Sequence, residues 1–265
     1  MISLTQGKYL GLLEKSIEDD YVIAAITSYH ESYLCSKIHY HENPHISFVL
    51  HGGCLEKRNH KEIERLAGKI TFYHSGEYHQ STHIRDASRH INLELLPSFL
   101  NEYDIKEADL DDRAAKNLDI KFFLLGLYKE LSARDNLSEI SVHMLLLELI
   151  HHGTELKSKQ NNYPWLRMVD ELLQESWENP VSLDFLSATL NLHPVTISKQ
   201  FHKYYHCTLG QYVRKIKIEK ALTLIKSSDK SLTEIAYACG FADQSHFIRT
   251  FKKFTGLLPH VYRQL

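Results

Sequence analysis

The sequence predicts an α+β protein with an N-terminal antiparallel β-barrel or sandwich, a helical hairpin and a C-terminal all-α domain. Three observations support this prediction. Short β-branched and aromatic segments separated by glycines fill the first hundred residues. Two segments dense in leucine and phenylalanine follow, and the last third contains an internal repeat with the spacing of helix-turn-helix units. The predicted divisions are 1–100, 101–157 and 158–265.

The β-rich part is predicted from three segments, at Tyr21–Thr27, Ile46–Leu50 and Lys69–Tyr73. Each is rich in residues that suit a pleated, half-buried strand, and glycines lie between them. Short strands separated by turns favour a sandwich or a small barrel.

The helical hairpin is predicted over Ile120–Leu131 and Glu139–His152, with a turn at 134–136. Its apolar residues exceed what one face of a small barrel covers, so it must pack on the barrel or on a second subunit. We therefore expect a homodimer that uses this hairpin. The polar run at 157–162 is interpreted as the linker to the last domain.

The internal repeat pairs Ser182–Asn191 with Ser231–Gly240. A second helical segment follows each copy and contains Phe201 in the first and Phe251 in the second. A helix, a tight turn and a second helix predict a helix-turn-helix unit, which presents its second helix to the DNA major groove. Two copies predict a chain that contacts two successive grooves.

Apolar spacing separates the two faces of each unit. Ile197 and Phe201 are expected inside the first unit, and Phe247, Phe251 and Phe254 inside the second. The polar faces opposite them supply side chains that bond base edges or phosphates. The predicted base contacts are Val195, Ser198, Lys199, Gln244, Ser245, His246 and Arg249, and the predicted phosphate contacts are Lys203, Lys252 and Lys253.

Charge supports the same interpretation. Residues 191–265 contain 12 lysines and arginines against 4 acidic residues, whereas residues 1–159 contain 18 against 24. The formal net charge of −2 therefore conceals a basic C-terminal segment. Attraction to DNA phosphates requires such a segment.

The segment Ile235–Gly256 reads IAYACGFADQSHFIRTFKKFTG and is followed by Pro259 and Tyr262. With the repeat, it resembles the DNA-binding domain of the AraC/XylS transcription regulators, over about 165–265. The resemblance implies seven helices, two helix-turn-helix units and a linker helix at about Leu209–Ser227. The first unit departs from the family at His193, where a capping serine is common, and at His206, where glycine is usual.

Histidines are concentrated in the N-terminal part, where His39 and His41 are followed by His45 and later by His79. Alternate residues on a strand point to the same side, so His39 and His41 can converge on one ion. The spacing resembles the two cupin motifs, with His39, His41 and His79 at metal-ligand positions and His45 where cupins have glutamate. A divalent metal (Zn, Fe, Mn or Ni) is one interpretation. The other is that these histidines line an organic effector pocket or lie on the surface, and no cofactor is then required.

Two functional classes follow. The favoured class is a one-component transcription regulator that binds double-stranded DNA, responds to a small-molecule effector and, if it is an activator, contacts RNA polymerase. The alternative is a metal-dependent cupin enzyme with a DNA-binding appendage, although no catalytic residues are identified. The four scattered cysteines predict reduced thiols, and the absence of a signal peptide or membrane span predicts a cytoplasmic protein.

Overall fold

The computed structural model describes residues 1–30, 35–58, 61–85, 87–108, 110, 119–133, 138, 140–147, 164–176 and 181–265. The chain divides into two compact units. One comprises 1–146 with the last two residues, and the other comprises 147–263. The turn and the linker predicted at 134–136 and 157–162 lie outside the described residues.

Within the described residues of the N-terminal unit, ten strands form two five-stranded sheets. The strands are β1 (Ile2–Leu4), β2 (Leu12–Glu18), β3 (Val22–Tyr29), β4 (His39–His41), β5 (His45–His51), β6 (Gly53–Arg58), β7 (Lys61–Leu66), β8 (Ile70–Tyr73), β9 (His79–Thr82) and β10 (Ser88–Leu95). One sheet has the order β1-β4-β9-β6-β7 and the other β2-β3-β10-β5-β8. The pairing of β1 with β4 is parallel, and the other described pairings are antiparallel.

The core of this unit lies over the centre of the second sheet. Ile26, Val49 and Ile91, from β3, β5 and β10, are fully buried. The strands predicted from β-branched residues correspond to β3, β5 and β8. Side chains of the two sheets also meet directly, since the hydroxyl of Tyr73 on β8 donates to Glu56 on β6.

Helices follow the sheets. α1 spans Pro97–Glu102 and α2 spans Asp119–Ala133, which contains the first helix of the predicted hairpin. α2 packs on β2 and β3 and buries Leu124 and Leu127. Residues 140–147 are helical too, with Ile140 and Met144 exposed. The predicted use of this region as a dimer contact stays a prediction.

The C-terminal unit contains seven helices within 164–176 and 181–265, as the resemblance implies. They are α3 (Pro164–Glu175), α4 (Leu183–Leu190), α5 (Pro194–Tyr205), α6 (Leu209–Ser227), α7 (Leu232–Ala238), α8 (Gln244–Thr255) and α9 (Pro259–Gln264). The long α6 has the predicted bounds. Among the described helices of the whole chain, none combines the length and apolar character needed to cross a bilayer.

The long helix α6 is buried on two faces. Ile216 and Ile218 are both fully buried, although two residues along a helix point in nearly opposite directions. The helix contacts α5 of the first repeat copy as well as α7 and α8 of the second. α6 is therefore the common support of both copies.

Several apolar residues of these helices are only half-buried, among them Phe254, which the spacing predicted to face inward, and Leu183, Leu190 and Val213. Leu186 is the fully buried residue of α4. The physical reason is that the neighbours packed on each helix cover a narrower stripe than its apolar spacing indicates. Ile218, on the face of α6 opposite Ile216, belongs to the core as well.

Candidate nucleic-acid interface and histidine cluster

The first helix-turn-helix unit consists of α4 and α5. Oγ of Ser182 accepts a hydrogen bond from the Phe185 backbone N–H at 3.0 Å and caps α4. Asn191 ends α4 in the left-handed conformation, with φ of 52°. Nδ1 of His193 accepts from the Val195 backbone N–H at 3.3 Å, so this histidine supplies the cap where the family has serine. His206 ends α5, again with φ of 52°.

The second unit consists of α7 and α8. Ser231 and Glu234 form a reciprocal capping box at the start of α7. Oδ1 of Asp243 accepts from the His246 backbone N–H at 2.7 Å and caps α8. The two left-handed positions are glycines here, Gly240 with φ of 69° and Gly256 with φ of 71°.

Phenylalanine and isoleucine side chains fix the second helix of each unit. Ile197 and Phe201 of α5 are fully buried, and so are Phe247 and Phe251 of α8, as predicted. Each unit is also tied to its neighbours by aromatic contacts. The ring of Phe201 lies 5.4 Å from that of Tyr212, and the ring of Phe251 lies 5.8 Å from that of Tyr262, measured between centroids.

The linker helix holds the turn of the second unit. Nζ of Lys217 donates a hydrogen bond of 2.7 Å to the carbonyl oxygen of Gly240 and lies over the ring of Phe241. Lys217 therefore positions the turn between α7 and α8, a role that the sequence did not indicate.

Most of the predicted DNA contacts are exposed. They are Val195, Ser198, Lys199, Lys203, Ser245, Arg249, Lys252 and Lys253. Gln244 and His246 are half-buried. Oε1 of Gln244 accepts from the hydroxyl of Thr233 at 3.1 Å, and the His246 ring lies 5.4 Å from that of Phe241. The assignment of these residues to bases or phosphates stays a prediction.

The histidine cluster consists of His39, His41 and His79, and it lies in the first sheet. His39 and His41 occupy alternate positions of β4, and His79 on β9 is the register partner of His39. Ring centroids of His39 and His79 lie 4.2 Å apart, and one ligand atom from each of the three residues lies within 4.8 Å of the others. All three are buried, at 5–6% exposure.

The fourth predicted residue, His45, lies behind this cluster. Its ring centroid lies 4.1 Å from that of His41 and 4.4 Å from that of Tyr73, on which it stacks. His45 is fully enclosed, and its Nδ1 has no hydrogen-bond partner among the described residues. It contacts the cluster, but its nitrogens are not part of the converging set.

A buried polar network adjoins the cluster, and the sequence analysis did not identify it. Oε2 of Glu56 accepts hydrogen bonds from the Tyr73 hydroxyl at 2.5 Å and from Arg65 at 3.2 Å. Arg65 also donates to Ser47 and Thr71. Strand alternation offered a weak signal, because Glu56 shares its face of β6 with the buried Cys54.

Burial keeps the cluster neutral. It lowers the pKa of His41 to about 3, with further lowering by His79 and His39. Burial also lowers the pKa of His79 to about 4 and moves the pKa of His39 downward. At neutral pH all three imidazoles are therefore uncharged, which is the form that binds metals.

A cleft of about 440 Å³ reaches the cluster at His79. Its apolar lining includes Ile38 and Tyr78, which are about half exposed. Its charged lining includes Arg58, which forms a bidentate ion pair with Glu77. His79 is the residue of the cluster that lines this cleft.

Comparison with known proteins bears on the C-terminal unit. The family model described as a helix-turn-helix domain, HTH_18, matches residues 186–265. The transcriptional regulator GbdR of Pseudomonas aeruginosa is 30% identical over 151 residues, which cover 56% of this chain and 41% of GbdR. The chain thus spans about two fifths of the length of that relative.

Two further matches extend this comparison. The transcriptional activator RhaS of Escherichia fergusonii is 23% identical over 248 residues, covering 85% of this chain and 87% of RhaS. A solved structure from Chromobacterium violaceum, described as a transcriptional regulator with an AraC-type DNA-binding domain, matches 39% of this chain and 93% of its own. Its identity is 23% and its TM-score 0.38.

The family match begins at Leu186 and includes the second helix of both units. It agrees with the repeated caps, the buried phenylalanines and the linker helix described above. The C-terminal part of this chain is therefore a helix-turn-helix domain of the AraC/XylS type.

Proposed function

We propose that the chain is a sequence-specific transcription regulator whose two helix-turn-helix units bind double-stranded DNA and whose N-terminal unit responds to a small ligand. The observation that supports this most directly is the pair of capped units supported by α6, each with an exposed polar face on its second helix. The regulators GbdR and RhaS are similar to the chain, and neither is named as an enzyme. We therefore propose no catalytic role.

The proposal specifies how the DNA is contacted. α5 and α8 enter successive major grooves, so the two half-sites lie about one helical turn, or ~10 base pairs, apart. Lys203 at the end of α5 and Lys252 and Lys253 at the end of α8 contact phosphates. Residues 191–265 contain more lysines and arginines than acidic residues, and this positive charge favours contact with the phosphates of DNA.

For the N-terminal unit we propose a cupin-like sensor. Two mostly antiparallel sheets and a buried histidine cluster reached by a cleft support this interpretation. We further propose that the regulator is a homodimer, that it acts in the cytoplasm with the DNA, and that it contacts RNA polymerase if it activates transcription. The apolar residues Ile140 and Met144, exposed on the helical segment 140–147, support the dimer.

The test is selection of bound sequences from random DNA, followed by affinity measurements on the selected site and on a scrambled site at several salt concentrations. We expect two half-sites about one turn apart and an affinity that falls steeply with salt. Lys252→Ala should weaken both DNAs by a similar factor and reduce the salt slope by about 1. Failure to enrich any sequence, with equal affinity for all DNAs, would contradict the proposal.

A further inference from the structure

Two histidines of the cluster have fixed tautomers, and each leaves one ligand nitrogen free. Nδ1 of His39 lies 2.8 Å from the carbonyl oxygen of Lys37, and Nδ1 of His79 lies 3.0 Å from the carbonyl oxygen of Glu77. A carbonyl oxygen only accepts hydrogen bonds, so each Nδ1 holds the proton and each Nε2 keeps its lone pair. Metal-binding histidines commonly donate their second ring N–H to a carbonyl in this manner.

The strands that carry the three histidines direct their side chains toward one point. Neighbouring strands β4 and β9 hold His39 and His79 at directly paired positions, and His41 follows two residues along β4 on the same side. The ring of His45 packs against His41 from behind and supports it. Rigid elements of this kind hold ligands in place before the ion arrives.

A buried ion pair adjoins the cluster. Glu56 is fully buried, its Oε2 pairs with Arg65 at 3.2 Å, and its Oε1 has no hydrogen-bond partner among the described residues. Arg65 balances the carboxylate charge, so what Glu56 adds near the cluster is one free acceptor oxygen.

The donor set determines the class of ion. Three neutral imidazoles suit divalent ions such as Zn²⁺, Ni²⁺ and Co²⁺, and they do not suit Mg²⁺ or Ca²⁺, which prefer oxygen ligands. Three protein ligands also leave a coordination position for water or another small molecule. His79 also lines the cleft of about 440 Å³, so the proposed site borders this cleft.

We propose that His39, His41 and His79 bind one divalent transition-metal ion, and that this ion is the ligand to which the N-terminal unit responds. His45 is a positioning residue and not a ligand. The first half of this proposal concerns the site alone. The second half rests on the proposed function as a DNA-binding regulator.

The site is tested on the full chain after chelator treatment and dialysis. Metal analysis after loading with Zn²⁺, Ni²⁺ or Co²⁺ should give one ion per chain, and the bound Co²⁺ should show the absorption of a nitrogen-ligated ion. His79→Ala and, separately, His41→Gln should weaken binding by about 100-fold or more, beyond the range for loss of a supporting residue. His45→Gln should still bind one ion per chain.

The exposed His30 provides the matched control, since His30→Gln should bind metal as the wild type does. Thermal unfolding of each variant without metal confirms that it folds, and two different ligand substitutions guard against one failing to fold. An unchanged stoichiometry and affinity in folded His79→Ala and His41→Gln would overturn the site. So would a wild type that retains no ion.

The response is tested on the same proteins with the selected DNA site. Zn²⁺ should change the DNA affinity of the wild type by about fivefold or more, the lower end of ordinary coupling, and should leave that of His79→Ala unchanged. DNA binding that ignores the ion would overturn the sensing role and leave the regulator proposal standing. A protein that binds one ion but no DNA would instead overturn the regulator proposal and, with it, the sensing role.

Discussion

The two helix-turn-helix units use the same apolar frame with different turn chemistry. Both bury a phenylalanine at the same place in the second helix, Phe201 in one and Phe251 in the other. Both need left-handed residues after the first and the second helix. The second unit uses Gly240 and Gly256 there, whereas the first uses Asn191 and His206.

This difference separates what packing requires from what a turn requires. A buried aromatic ring has no substitute of similar volume among polar residues, so the frame is the same in both units. A left-handed position needs only a residue that tolerates positive φ. Glycine does so without steric cost, asparagine does so with a small cost, and histidine does so less readily. The first unit therefore contains strain that the second avoids.

The largest expected effect tests the shared frame. Phe251→Ala and Phe201→Ala should each lower the free energy of unfolding of the C-terminal unit by about 3–5 kcal/mol, because each removes a fully buried ring and leaves a cavity. Urea unfolding followed by tryptophan fluorescence is suited to this test, because residues 1–146 contain no tryptophan and Trp165 lies on α3 of the C-terminal unit.

The control for this prediction is Phe185→Ala, since Phe185 is 48% exposed and its loss should cost far less. If Phe201→Ala left the unfolding midpoint unchanged while Phe251→Ala did not, the two units would not share one frame.

Sequence reasoning predicted the C-terminal unit better than the histidine site, for a physical reason. Caps, turns and apolar spacing act between residues close in the chain, so the repeated helix-turn-helix pattern was visible in the sequence, whereas the bounds of α6 came from the family resemblance. The burial of Ile218 was not visible, because it depends on helices that pack on the opposite face of α6.

The histidine site shows the same limit more strongly. His39 and His41 share a strand, so their common side followed from alternation. The Glu56–Arg65–Tyr73 network depends on contacts between strands of different sheets, and buried charged residues are too uncommon to be expected from composition. The sequence likewise could not show that His45 lies outside the set of converging histidines, because its position depends on how the two sheets pack together.

The next effect tests whether the two units contact DNA independently. Arg249→Ala should cost about 1–3 kcal/mol on the selected site and relax the base preference in one half-site only, because an arginine bonds a purine edge there. Lys199→Ala should do the same in the other half-site. Affinity measurements on sites with single base changes give both results.

Lys253→Ala serves as the comparison for this experiment, because loss of a phosphate contact should weaken binding to all sequences alike. If Arg249→Ala lowered the affinity for selected and random DNA by the same factor, Arg249 would contact the DNA phosphates and not the bases. A preference lost in both half-sites at once would show that the units do not contact DNA separately.

A smaller effect tests the strain at the ends of the second helices. Gly256→His should destabilise the C-terminal unit by about 1–2 kcal/mol, because a side chain would adopt φ of 71°. His206→Gly should instead stabilise it by up to about 1 kcal/mol, less whatever contacts the imidazole makes. Urea unfolding of the two variants gives both signs. If both variants were destabilised, the contacts of the His206 side chain, and not the positive φ of its backbone, would determine the stability at this position.

The smallest effect concerns the turns inside the units, where asparagine and glycine occupy equivalent places. Asn191→Gly and Gly240→Asn should each change the free energy of unfolding by about 0.5 kcal/mol or less, since both residues adopt the left-handed conformation readily. Asn191→Ala is the informative contrast. Alanine has neither the freedom of glycine nor the local hydrogen bonding of asparagine, so it should cost about 1 kcal/mol at φ of 52°. If Asn191→Ala proved as stable as Asn191→Gly, positive φ would not be what selects asparagine at this turn, and the contrast between the two units would reduce to His206 alone.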